Sequence, residues 1–236
     1  HATLDTHHRN DISHNVAWRT GDGLIPAPFT IVSRDDILLG RLRPAAETAE
    51  HKGRKIRSLD WALAYTAELE ASQRFQLCLW PVHCQIGTWG HNLVDPVSKA
   101  FDAWCDQTSG LVNFHWKGQW PWSEHYSAMR AEVPDPHRPE TCLNEPFLNA
   151  LLEADRILWA GWAGSHCLRF TALDAINACG PGKNTISEKS VFFHDASAPV
   201  ADIPEAGVKF SDQRRAFLDE VQSRGATLTT TDQFMP

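Results

Sequence analysis

Apolar positions along this chain recur with two periods, and the switch between them marks out its elements. Leu59, Ala62, Leu63, Thr66 and Leu69 fall on one helical face and predict a helix over Leu59–Ser72. The same period predicts helices over Val97–Cys105, with Ala100, Phe101 and Trp104 on the apolar side, and over Leu143–Ala154, with Phe147, Leu148, Leu151 and Leu152 inward. Two more are expected over Leu168–Ala178 and over Phe210–Gly225, where Gly225 stops the helix. Short apolar runs bounded by turn residues predict strands at His1–Leu4, Phe75–Trp80, Val112–Trp116, Ile157–Ala160, Val191–Phe193 and Ala226–Thr229. Gly21–Pro28 and Pro44–Arg57 are turn-rich or charged and read as surface loop. Strands alternating with helices imply parallel βαβ units in the open sheet of an α/β protein. No repeat or linker divides 1–236, so a single domain is expected. In such sheets the ligand sits beyond the carboxyl ends of the strands.

With 236 residues, 42% of them hydrophobic and 22% charged, the chain has the make-up of an ordinary globular protein. A net charge of −7 argues against nucleic acid or an anionic membrane as the main partner. There is no run of about 18 apolar residues to span a bilayer. The six cysteines show no CxxC pair, which suits a reducing, cytoplasmic setting. The chain opens at His1 rather than Met, and Ala2-Thr3-Leu4 reads as the end of a strand already under way, so upstream residues are expected to be missing.

Four groups stand where this topology builds sites. The most informative is Ala163-Gly164-Ser165-His166-Cys167, a small-residue turn between the run Ile157–Ala160 and the helix from Leu168. A cysteine in the first turn of a helix feels the positive end of the dipole, which favours its thiolate. The N–H groups of the same turn can stabilise an oxyanion. A buried structural cysteine would leave the same trace. Asp5 and His7, two residues apart on an extended segment, point to one side and can bind one divalent cation, with His8 and His14 nearby. A solvated histidine-rich loop is the other reading. His83, just after a strand in Trp80-Pro81-Val82-His83-Cys84, could complete that site, and the donor set suits Zn²⁺, Fe²⁺ or Mn²⁺. Trp80 offers an aromatic wall to a flat substrate, or is plain core. Lys117, at a strand end, would lower the pKa of a thiol beside it, or is a surface lysine.

In this order on this framework, the stretches resemble the nicotinamidase branch of the isochorismatase-like cysteine hydrolases. They are Leu4-Asp5-Thr6-His7, Trp80-Pro81-Val82-His83-Cys84 with Gly87-Thr88, Lys117-Gly118, Ser123-Glu124-His125-Tyr126-Ser127-Ala128, and the run Ala163–Cys167. The resemblance implies a three-layer α/β/α fold with a mostly parallel open sheet. It also implies hydrolysis of a carboxamide, nicotinamide to nicotinate and ammonia, through a thioester on Cys167. Lys117 would be the charged neighbour of the thiol, and the N–H groups of Ala163 and Cys167 the oxyanion hole, after a cis Trp162–Ala163 bond. Asp5, His7 and His83 would hold one divalent metal ion, with His14 a further candidate ligand and the pyridine nitrogen of the substrate bound to the ion. Trp80 and Tyr126 would contact the substrate ring. Residues 18–57 look like the long surface insertion of a larger bacterial subgroup, and relatives commonly associate, so a homo-oligomer is an option.

The chain departs from the family in two respects. The aspartate that serves these enzymes as general base ends the first strand in an Asp-x-Gln-type motif, and no such motif precedes Asp5. The sheet is therefore expected to lack its first strand and the domain to be N-terminally incomplete, and Asp5 is not assigned as the base. Trp89 follows Gly87-Thr88, where relatives commonly carry proline, and Trp162 stands beside the oxyanion turn; both indoles could reshape a ring pocket. Alternatives to a nicotinamidase are a hydrolase of another small amide, a catalytically silent binding module, and a structural zinc protein using Cys84 and nearby histidines. The last fits poorly because the cysteines lack paired spacing.

Overall fold

The computed structural model describes residues 1–180, 185–204 and 207–234, which form two compact units. One comprises 1–125 and 131–142, the other 126–130 and 143–236. No helix among the described residues is long and apolar enough to cross a membrane.

The first unit opens with β1 (Ala2–Asp5) and continues through β2 (Trp18–Thr20), β3 (Thr30–Val32), α1 (Arg34–Leu38), β4 (Leu42–Pro44), β5 (Thr48–His51) and β6 (Arg54–Arg57). Next come α2 (Ser58–Ser72), β7 (Leu77–Leu79), α3 (Asp95–Thr108) and β8 (Phe114–Lys117). β1 pairs in parallel with β8 in a register that sets Asp5 opposite Lys117, so both strands end at the same level. The helical face of α2 buries Ala62, Tyr65 and Leu69 against Trp18, Val32, Ile37, Leu42, Leu77 and Leu79. Residues 18–57 thus contribute part of this core. The segment Pro44–Arg57 is not a loop as expected but carries the antiparallel hairpin β5–β6. Its two turn residues, Lys52 and Gly53, both have positive φ, 47° and 75°, the twist that a two-residue hairpin turn requires. α3 runs longer than expected and leaves Ala100 and Trp104 exposed and Phe101 half-buried.

The second unit contains α4 (Glu145–Glu153), β9 (Ile157–Trp159), α5 (Cys167–Ala178), α6 (Thr185–Lys189), β10 (Ser190–Phe193), α7 (Phe210–Ser223), β11 (Thr227–Thr229) and α8 (Thr231–Phe234). β9, β10 and β11 form a parallel sheet with β10 in the middle. α5 buries most of its surface, including Leu168, Phe170, Ala172 and Ile176. α4 turns Phe147 and Leu151 inward, while Leu152 is exposed rather than buried as expected. The α/β class and its parallel strand pairing are those read from the periodicity. The sheet appears as one parallel piece in each unit, of two and three strands.

Candidate active site

In the first unit the chemistry gathers just beyond β1 and β8. Lys117 is buried and its Nζ donates to Asp5 Oδ1 at 2.6 Å and to the His125 carbonyl at 2.8 Å. Burial alone would raise the Asp5 carboxyl, but the Lys117 ammonium and His7 outweigh it and hold Asp5 well below the usual carboxylate range. The loop after β1 is stitched to the segment after β7. His7 N donates to Cys84 O at 3.1 Å, Ile86 N to His7 O at 3.0 Å, and Asn15 N to Trp80 O at 2.9 Å. These bonds bring His7, His14 and His83 into a triangle, with ring centroids 4.7–5.0 Å apart.

Each ring of that triangle is fixed from behind. Nδ1 of His7 donates to Asp11 Oδ2 at 2.6 Å, Nδ1 of His14 to the Arg9 carbonyl at 3.2 Å, and Nδ1 of His83 to the Pro81 carbonyl at 2.9 Å. This leaves the three Nε2 lone pairs for the centre. The Nε2 atoms of His7 and His14 are buried and make no hydrogen bond among the described residues. His7 Nε2 lies 3.0 Å from Asp5 Oδ1, close but outside hydrogen-bond alignment. Asp5 Oδ2 lies 3.6 Å from His83 Nε2. The imidazole set can offer one nitrogen each within 4.8 Å of one another, within reach of a single divalent ion after small side-chain rotations. A hydrogen-bond acceptor behind every Nδ1 is the usual support of such a site. Burial, followed by the charges of His7 and His83, pushes His14 down to about 4, which keeps it a neutral donor. Burial also works against a charge on His7, yet the Asp5 and Asp11 carboxylates outweigh it and raise that group well above its ordinary value. The same negative field would hold a cation. The residues therefore fit a metal. Trp80 stands beside the triangle, its ring centroid 6.3 Å from that of His83.

In the second unit β9 runs into the turn 160–166, and α5 opens on Cys167, which is half-buried. The Trp162–Ala163 peptide is cis. The N–H groups of His166 and Leu168 both donate to Ala163 O, at 3.0 and 3.2 Å, which folds the turn tightly around the start of the helix. A side chain at Gly164 would place its Cβ 2.8 Å from Ser197 O, so only glycine fits. Tyr126 is buried, with its ring centroid 5.5 Å from that of His166. The indoles of Trp89 and Trp162 are both largely exposed, at 76% and 72%.

The structure thus collects Asp5, His7, His14, His83, Lys117 and Trp80 in one unit, and Ala163, Cys167 and Tyr126 in the other. Sequence reading missed Asp11, whose one signal was its place four residues after His7 in a polar loop, and Arg9, which contributes only a carbonyl.

No protein-family model matches the chain. It is 28% identical to the nicotinamidase of Saccharomyces cerevisiae over 141 residues, 58% of this chain and 55% of that protein. The chain thus matches about half the length of this curated relative. The crystal structure of the yeast nicotinamidase bound to the inhibitor nicotinaldehyde superposes with a TM-score of 0.55, at 16% identity, over 97% of this chain and 78% of that one. A nicotinamidase/pyrazinamidase from Acinetobacter baumanii superposes with a TM-score of 0.52, at 17% identity, over 99% of this chain and 77% of the other. The fold is therefore the isochorismatase-like α/β fold of these enzymes. In sequence, over these 141 residues, the chain is similar to a nicotinamidase.

Proposed function

We propose that the protein is a metal-containing cysteine amidohydrolase that converts nicotinamide and water to nicotinate and ammonia. The observation that carries this reading is the histidine triangle of His7, His14 and His83, with every Nδ1 engaged and buried Nε2 atoms lacking partners. Similarity to the yeast nicotinamidase supports it, as does the aldehyde analogue of nicotinamide that the yeast enzyme binds.

Cys167 is the nucleophile: at the first position of α5 its thiolate is favoured by the helix dipole. The sulfur forms a bond to the carboxamide carbon, and the negative charge that develops on oxygen is taken by the N–H groups of Ala163 and Cys167. The C–N bond then breaks, and the nitrogen leaves as ammonia carrying the proton that the Cys167 thiol gave up. Water hydrolyses the thioester to nicotinate and restores the thiol. A divalent ion held by His7, His14 and His83, with Asp5 beside them, would supply a Lewis-acid anchor for the pyridine nitrogen. Trp80 and Tyr126 offer aromatic surface to the ring. Asp5 is already committed to Lys117 and faces His7 and His83, so it is not assigned as the base for the thiol.

The test is ammonia release from nicotinamide by the zinc-loaded protein, with Cys167→Ala beside it. Release that disappears in the variant is expected. Release that persists in Cys167→Ala would overturn the nucleophile, and none from the metal-loaded protein would overturn the substrate.

A further inference from the structure

The turn 160–166 is held by more than its own hydrogen bonds. A second loop, 194–200, runs alongside it and is sewn to it at four points. Gly161 N donates to Ala196 O at 2.8 Å and Gly164 N to Ala198 O at 2.8 Å. The Trp162 indole Nε1 donates to Pro199 O at 3.1 Å, and Val200 N donates to Ser165 Oγ at 3.0 Å. Ser165 Oγ, which accepts from Val200 N, also shares a hydrogen bond with His166 Nδ1 at 2.9 Å.

The second loop is in turn fixed by one side chain of α7. Arg214 Nε donates to Ser197 O at 2.5 Å, and its Nη2 donates to His194 O. Its Cγ and Cδ lie 3.4 and 3.3 Å from where a Cβ on Gly164 would sit, so the aliphatic stem fills the space that glycine leaves. A planar guanidinium can engage two carbonyls at a fixed spacing, which a point-charge ammonium cannot.

We propose that Arg214 is a positioning residue for the candidate oxyanion turn, acting through the loop 194–200. The proposal rests on the reading of Cys167 as nucleophile and Ala163 as oxyanion donor. Arg214 touches no reacting atom. Through Ser197 O and His194 O it fixes the second loop, whose Ala196 and Ala198 carbonyls hold Gly161 N and Gly164 N on either side of Ala163. Small displacements of such donors are costly, since a misplacement near 1 Å can lower a rate by about 100-fold.

Arg214→Met keeps the stem and removes the fork; Arg214→Lys keeps the charge without the paired geometry. Hydrogen exchange is followed in the peptide covering 160–166, and nicotinamide hydrolysis is followed in parallel. In Arg214→Met, exchange in 160–166 is expected to accelerate roughly tenfold or more while the remainder of α5 keeps its protection. The kcat is expected to fall about 10- to 100-fold with KM little changed. The pH profile for alkylation of Cys167 by iodoacetamide should not move, and Arg214→Lys should fall between the two. Unchanged exchange in folded Arg214→Met overturns the clamp. Faster exchange with unchanged kcat overturns its catalytic role. If the parent protein hydrolyses no amide while exchange responds as stated, the clamp stands and the nicotinamidase reading falls. If Arg214→Met does not fold, Arg214→Lys is read by the same exchange measurement, and parent-like exchange in 160–166 overturns the clamp.

Discussion

Asp11 is the residue through which the metal reading is most sharply tested. It is buried at 2% exposure and uses both carboxylate oxygens: Oδ2 accepts from His7 Nδ1 at 2.6 Å, and Oδ1 accepts from His8 N at 3.0 Å. The bond to His7 fixes the ring and places the Nε2 lone pair toward His14 and His83. Removing such an outer partner typically costs 10- to 100-fold in metal affinity, which is about 1.4–2.8 kcal/mol. Asp11→Ala should sit near the upper end, because it frees the ring and leaves a buried Nδ1–H without an acceptor. Asp11→Asn keeps one acceptor oxygen and should sit near the lower end. Zinc affinity is measured by competition with a chromophoric chelator at fixed pH, with circular dichroism confirming that each variant is folded. Zinc affinity equal to the parent in folded Asp11→Ala would refute the reasoning, because the triangle would then not depend on the orientation of His7.

Three further outcomes are expected. His83→Ala should weaken substrate binding more than it slows alkylation of Cys167 by iodoacetamide; equal losses would mean that His83 serves the thiol instead. Gly164→Ala forces a Cβ to 2.8 Å from Ser197 O, a clash expected to cost about 1–3 kcal/mol and to lower Tm by roughly 2–4 °C per kcal/mol in a chain of this size. An unchanged melting curve would show that the turn has room to spare. Burial, with Lys117 next, pushes His125 down to about 3 in the folded protein, against about 6.5 for a free histidine. A depressed histidine contributes stability above pH 6.5 and loses it as acid protonates the unfolded chain first. Stability should therefore fall less steeply between pH 6.5 and 4 in His125→Gln than in the parent, by up to about 1.4 kcal/mol per pH unit. Parallel curves would count against a neutral, buried His125.

Much of this was legible because the signals are local. Apolar runs marked β9 and β10, the helical period marked α2 and α5, and the spacing of Asp5 and His7 placed both donors on one side of an extended segment. What was not legible depends on distant partners. Lys117 meets Asp5 across 112 positions, and the pairing is set by the parallel register of β1 with β8. The hairpin β5–β6 was hidden because its strands, Thr-Ala-Glu-His and Arg-Lys-Ile-Arg, carry little apolar surface. Its stability comes instead from contacts such as Arg54 with Asp135 and with the Trp61 ring. Leu152 follows the helical period of α4 at its edge, where a one-position error moves a side chain from core to surface. Arg214 carried no signal at all, since a fork that binds backbone carbonyls leaves no trace in side-chain chemistry.

The thioester on Cys167 is tested by the intact mass of the zinc-loaded protein quenched in acid during turnover of nicotinamide. A nicotinoyl adduct that maps to Cys167, forms before steady state and is absent from Cys167→Ala is expected. Turnover that proceeds with no adduct on Cys167, or with the adduct on another residue, would contradict it.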